Sequence, residues 1–392
     1  LFFQILDEKR QCKKIFYHDE LVDNLDEGEM THTWSYSPHL RDKQIEYASI
    51  WCAGTSLDNN CPENLKEEWK EINQKATAFL KSFKTARINL HDNCLFNLLP
   101  EDFLLQFYRL KNEITKSVFE NCEKPENYDF LSRLMPFIDR IKNTNLNLKF
   151  ENLDFSDEKT RASFNKIKQT NHHIDYNMWG TATGRLATRA SSFPILNLNK
   201  ELRPAIHPNN DVFVEFDYNA AELRVLFALL GQEQPGGDVH EWISKNIFDS
   251  KYDRETSKKK AFAWLYNPRA KNKKLNDYLQ REKILEDFYK DGSIATSYGR
   301  LIPVSEDKAV NYTIQSTTSD LFLNSALKID NLLENKKSSV AFCVHDSLIL
   351  DFSREDKDIL SMLIEEFSKT GLGNFKTNVN IGKNYGSMRK IQ

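Results

Sequence analysis

No stretch of this 392-residue sequence approaches the roughly 18 consecutive apolar residues of a membrane span. The N-terminus also lacks a cationic region followed by an apolar run, so secretion is not expected and a soluble, cytoplasmic chain is. The first residue is Leu rather than Met, which reads as a processed or trimmed piece. The six cysteines (Cys12, Cys52, Cys61, Cys94, Cys122 and Cys343) include no CxxC pair. Neither a structural zinc site nor a disulfide framework is suggested, and reduced thiols are the expectation. Internal repeats and low-complexity segments are absent. Net positive charge is lacking as well: the formal value is −3, so any nucleic-acid role has to rest on local charge rather than on the total.

Local charge is present. Between Lys251 and Leu275 there are nine Lys or Arg against two acids. Inside that stretch, RETSKKKAFAWLYNP (Arg254 to Pro268) places Arg254, Lys258, Phe262 and Tyr266 four residues apart. In a helix these side chains drift only about 40° per step and form one stripe. Asp253 is positioned to cap the helix start and Pro268 to end it. Two cations near a helix N-terminus, where backbone N–H groups also favour an anion, suit a triphosphate. The two flat rings further on offer surfaces for a sugar and a base. Taken alone, such a pattern is more commonly an amphipathic helix with its aromatics in the core.

Residues 1 to about 60 contain the apolar runs LFFQIL, KKIFYH and IEYASIWCAG, read as short strands. From Pro62 to about Asn143 the period becomes helical: Leu65, Trp69, Ile72, Ala76, Phe79 and Phe83, then Phe103, Phe107, Leu110, Ile114 and Val118, then Phe130, Leu134, Phe137 and Ile141. After about Ile174 strands and helices mix. DVFVEFD reads as a strand ending at Asp217, NAAELRVLFALLG as the helix that follows, and SVAFCV and SLILDF as strands joined only by His345 and Asp346. Two-residue hairpin turns need positive φ and favour Asn-Gly, Asp-Gly or Gly-X, so His-Asp there suggests either a turn that serves chemistry or a slightly longer loop with a solvent-facing Asp. Asp217 at a strand end and Asp346 at a hairpin tip are hard carboxylates that suit a pair of Mg²⁺ ions, with the Tyr218 carbonyl as a further ligand. Such a pair steadies the attacking and leaving oxygens of an in-line displacement at phosphorus.

DYNAAELR (Asp217 to Arg224), R-x3-K-x3-F-x3-Y (Arg254 to Tyr266) and VHDS (Val344 to Ser347), in that order, resemble motifs A, B and C of the DNA polymerase I family, family A. TATGRL (Thr181 to Leu186), DVH (Asp238 to His240) and NYTIQSTTSD (Asn311 to Asp320) resemble further blocks of that family. The resemblance covers about Ile174 to the C-terminus, in a compact, phage-like form with short fingers. It implies a mixed α/β (α+β) right-hand polymerase with a palm sheet, helical fingers and a helical thumb. Residues 1–61 would be a strand-containing segment left from an exonuclease domain, 62–170 a thumb-like lobe, and 171–392 the palm with fingers inserted at about 232–296.

The activity implied is template-directed addition of dNTPs to a primer 3′-OH with two Mg²⁺ ions, without an evident exonuclease in this chain. The partners implied are primer–template DNA, dNTPs, and a processivity factor or separate exonuclease protein, in a bacterial host cytoplasm if the chain is phage-encoded. Carried over residue by residue, Asp217, Asp346 and the Tyr218 carbonyl would hold the metals. Arg254 and catalytic Lys258 would hold the triphosphate, with His240 nearby, while Phe262 packs on the deoxyribose and Tyr266 borders the nascent base pair. Glu222 would be the gate that crowds a ribose 2′-OH. Arg185, Asn311, Gln315 and His345 would touch the primer terminus or the minor groove, where acceptors are shared by all correct pairs.

The sequence departs from the family pattern at three positions. Ser347 stands where Glu is usual, and HDS is typical of phage-type single-subunit RNA polymerases, the main alternative. Glu222 and Phe262 favour deoxynucleotides instead. Asn267 replaces a Gly, and Asp307 occupies a position where a basic residue is expected. Ser347 and Asp307 also motivate a catalytically silent primer–template-binding module. Between Tyr266 and SYGR (Ser297 to Arg300) there is room for one further helix, KLNDYLQREKILEDFYKD.

Overall fold

The computed structural model describes every residue except 7–13, 24–29, 42, 89, 91–92, 152, 154–156, 171, 191, 268 and 392. Pro268 and Cys12, both singled out above, therefore lie outside the described residues. The chain forms two compact units, Leu1–Asp139 and Arg140–Gln392.

In the first unit, Gln4–Ile5, Ile15–Tyr17 and Glu20–Val22 pair as a three-stranded antiparallel sheet. The strand expectation for IEYASIWCAG is corrected. Only Glu46–Tyr47 is extended there, paired in parallel with His32–Thr33, and Ala48–Trp51 turns into a helix. Ala48 and Cys52, one helical turn apart, both bury against Val118, a placement that a strand's alternation would not give them. Helices Lys66–Thr85, Glu101–Asn121 and Tyr128–Lys142 follow the predicted periodicity. Trp69 and Ile72 of the first pack on Leu110 and Ile114 of the second. The expectation of thiols holds for Cys52, Cys61, Cys122 and Cys343, but Cys94 is disulfide-bonded.

The second unit is built on a five-stranded antiparallel sheet in the order Ser339–Val344, Ser347–Phe352, Val212–Tyr218, Thr377–Gly382, Arg389–Lys390. Alternation along the central strand divides its side chains between two faces. Phe216 and Tyr218 face the helices: the Tyr218 ring stacks on Phe367 at 4.4 Å, and its hydroxyl is bonded to Ser325 Oγ (2.8 Å) and the Phe367 carbonyl (2.7 Å). Phe213, Glu215 and Asp217 face the opposite way. Phe213 packs on Phe342 at one end, and Asp217 lies toward the other.

Among the described residues, five helices follow between the central strand and the long helix Glu306–Leu332: Ala221–Leu229, Val239–Asn246, Arg254–Tyr266, Lys273–Leu279 and Arg281–Phe288. The single helix expected over KLNDYLQREKILEDFYKD is thus two. Gln280 takes φ +38° between them. The break lets Leu275 and Leu279 bury on one segment and Ile284 on the next, while the Arg281 guanidinium sits 4.7 Å over the Trp264 ring and donates to the Trp264 carbonyl.

Candidate active site

Asp217 ends the central strand beside Ser347 on one neighbour and Asn378 on the other. Both donate to it, Ser347 Oγ to Oδ1 at 3.0 Å and Asn378 Nδ2 to Oδ2 at 3.2 Å. The position where Glu was expected therefore carries a hydroxyl that orients the first carboxylate. Asp346 stands in the predicted two-residue turn, with Val344 and Ser347 paired across it and His345, exposed, at φ +54°. Burial raises the Asp217 carboxyl above its usual range. Burial and then the charge of Asp217 push Asp346 up to about 6. Two carboxylates that burden each other in this way fit a divalent cation, which would relieve both the repulsion and the desolvation. Among the described residues no third His, Cys, Asp or Glu joins them in a metal-holding group. The buried Tyr218 side chain is committed beneath the sheet, so only its backbone carbonyl could contribute.

The Arg254–Tyr266 helix begins as expected, with the Asp253 carboxylate accepting from Thr256 N at 2.8 Å. Phe262 and Tyr266 stack at 5.8 Å with ring planes 11° apart, which shows the stripe directly. Lys258 has no hydrogen-bond or ion-pair partner among the described residues. Its charge reaches both Asp217 and His240 and favours the ionised carboxylate of the one and the neutral imidazole of the other. His240 is buried, with its ring 5.7 Å from that of Phe262 and its Nδ1 without a partner. Burial above all brings its pKa down to about 4, so the imidazole is neutral at pH 7. Arg254 pairs with Asp238 at 2.8 Å and with Glu255.

Glu222 is buried and doubly held: Arg185 Nη2 donates to Oε1 at 2.5 Å and the Tyr266 hydroxyl to Oε2. Three predicted site residues from separate segments thus meet at one carboxylate. The TATGRL loop is docked on the Glu306–Leu332 helix, with Thr183 Oγ1 donating to Gln315 Oε1 (3.2 Å) and Ser319 Oγ to the Gly184 carbonyl (3.0 Å). Gly184 has φ +75°, and a Cβ there would lie 2.5 Å from the Arg300 guanidinium carbon. Arg300 is itself clamped by fully buried Asp320 through two bonds of 3.0 and 2.6 Å. Asn311 lines a groove with Tyr266, Arg281 and Asp307. Asp307 lies in the first turn of its helix, where an acid favours the macrodipole, a structural reason for that departure.

Sequence reasoning left two residues without roles. Arg224, 1% exposed, donates to the carbonyls of Asn219 (2.7 Å), Pro235 (2.9 Å) and Gly237 (2.8 Å). Burial lowers its pKa to about 10, which still leaves it charged at neutral pH. Asp238 was quoted only as part of DVH. An Arg in the helix Ala221–Leu229, whose other residues are apolar apart from Glu222, was the available signal for the first. The second gave none, because its cationic partner is 16 residues away.

The fold is that of a polymerase domain. The POL domain of Pol1 from M. smegmatis, solved in complex with DNA primer-template and dNTP, superposes with a TM-score of 0.62 at 11% identity, covering 92% of this chain and 87% of that one. In sequence, the DNA polymerase of Bacillus phage SP01 is 26% identical over 292 residues, 55% of this chain and 32% of that protein. The thermostable DNA polymerase I of Thermus aquaticus is 26% identical over 245 residues, 50% of this chain and 29% of that protein. In sequence the chain is thus similar to DNA polymerases, DNA polymerase I among them. The chain spans about a third of the length of these curated relatives. No family model matches it.

Proposed function

We propose that the chain is a template-directed DNA polymerase that extends a primer 3′-OH with dNTPs. The observation that carries this reading is the meeting of Asp217 and Asp346 at one sheet end, with Lys258 within electrostatic reach of Asp217. Primer–template DNA and dNTP in the complex of the structural neighbour, and the DNA polymerases among the sequence relatives, support the same reading. Residues 171–392 serve as palm, with fingers at about 232–296, and the helical lobe 62–170 serves as thumb. Asp217, Asp346 and the Tyr218 carbonyl are the groups to hold Mg²⁺. Bound there, the metal would supply Lewis-acid stabilisation of the attacking and leaving oxygens.

The remaining work falls to this chain's own side chains. Arg254 and Lys258 meet the triphosphate, and Lys258 offsets the charge that gathers on the departing pyrophosphate. Neutral His240 presents its unpartnered Nδ1 on the same side. Phe262 and Tyr266 bound the sugar and the base, and Glu222, fixed by Arg185 and Tyr266, crowds a 2′-OH. Arg185, Asn311, Gln315 and His345 face the primer terminus. The test is extension of a labelled primer with Mg²⁺ and either dNTPs or rNTPs, with Asp346→Ala as control. Template-dependent use of dNTPs, lost in the control, is expected. Preference for rNTPs would move the assignment to the single-subunit RNA polymerases, and tight DNA binding without extension would leave a binding module.

A further inference from the structure

The Asp238 carboxylate uses both oxygens twice. Oδ1 accepts from the backbone N–H groups of His240 (2.9 Å) and Glu241 (3.0 Å), which caps the Val239–Asn246 helix. Oδ2 accepts from Asn219 Nδ2 (3.0 Å) and Arg254 Nη2 (2.8 Å). Asn219 comes two residues after Asp217, and its own Oδ1 accepts from Val239 N at 3.1 Å. The peptide just before Asp238 is fixed as well, because the buried Arg224 guanidinium donates to the Gly237 carbonyl. One side chain therefore ties the end of the carboxylate-bearing strand to both groups on the triphosphate side, His240 and Arg254.

Resting on the polymerase reading above, we propose that Asp238 is a positioning residue for triphosphate capture: it aims the Arg254 guanidinium and sets its distance from Asp217. A carboxylate with four donors, only 18% exposed in its side chain, is an anchor rather than a latch to be displaced. It engages one terminal nitrogen of Arg254, a planar fork of five donors that remains 39% exposed. Asp238 holds Nη2, while Nη1 meets only the exposed carboxylate of Glu255, a contact that phosphate oxygens can replace. Simple electrostatics makes the opposite prediction, since an acid beside a triphosphate site repels the ligand. The two accounts therefore differ in sign.

The experiment is steady-state primer extension by the full chain and by Asp238→Asn, Arg254→Ala and the double variant. Asn retains helix-capping ability, so a thermal midpoint within a few degrees of wild type is expected, and the change falls on the Oδ2 contacts with Arg254 and Asn219. The expected result is a roughly tenfold rise in dNTP KM for Asp238→Asn with kcat changed much less, a larger rise for Arg254→Ala, and a double variant no worse than Arg254→Ala. Additive effects in the double variant, an unchanged KM or a lowered KM would each overturn the proposal. Absence of extension by the wild-type chain would overturn the polymerase reading itself, before any variant is compared.

Discussion

The end of the sheet and the stripe on the Arg254–Tyr266 helix carry opposite charge and meet opposite fates. At the sheet end, Asp217 and Asp346 are held together by strand pairing at a cost in ionisation: burial raises both, and Asp346 stands near 6. On the helix side the charges are accommodated. Arg254 is paired, and Asp238, despite its burial, is held well below the usual carboxylate range by the hydrogen bonds from Arg254 and Asn219. The sheet end is poised to receive positive charge, with neutral Ser347 and Asn378 bonded to Asp217, and the helix to receive negative charge, with Arg254 held by Asp238.

The largest break in this contrast comes at the sheet. Asp346→Ala should lower single-turnover extension by roughly 10³-fold or more, since several kcal/mol of transition-state stabilisation go with the site. Lys258→Ala, on the opposite side, should reduce kcat/KM by about 10²-fold, and incorporation assays over a dNTP series will show it. Arg224→Met tests the support between the two regions. It abandons three buried carbonyls, and equilibrium unfolding should show a loss of about 3 kcal/mol.

The ionisation of Asp346 gives a smaller effect with a definite sign. The folded protein holds that proton more tightly than the unfolded chain, so in EDTA stability falls as pH rises from about 4 through about 6, by about 1–2 kcal/mol. On the proposed function Mg²⁺ would bind the ionised pair, so the stabilisation it adds should grow across the same window. Thermal melts with and without metal, beside Asp346→Asn, will read both trends, and an unchanged slope in the variant would remove Asp346 as their source. Smallest is Tyr266→Phe. Loss of the hydroxyl bond to Glu222 is worth about 1 kcal/mol, so discrimination against rNTPs should loosen about fivefold in a competition assay.

Much of this arrangement was legible because it is local. Strand-then-helix around DYNAAELR, the Asp253 cap and the His-Asp turn each follow from a few adjacent residues. So do the three helices of residues 66–142. What was hidden depends on distance in sequence. Nothing near Asp238 announces Arg254, and nothing near Ser347 announces that its hydroxyl would reach Asp217. The break at Gln280 was hidden for another reason: the residues around it are good helix formers, and burial of Leu279 and Ile284 on separate segments overrides their propensity. Ala48–Trp51 was missed because a single helical turn is too short for its period to stand apart from a strand's.

Gly184 extends the reach of the sugar gate beyond its charged members. The space a side chain would need there is filled by Arg300, and Arg300 cannot yield while Asp320 grips it from the protein interior. A single methyl at position 184 would have to displace the loop instead, and the next residue in that loop is Arg185, whose guanidinium holds Glu222. On the proposed function, the choice between two sugars would thereby inherit a mechanical tolerance. It is set by a contact that carries no hydrogen bond, lies a residue outside the site, and would be altered by the mildest of substitutions.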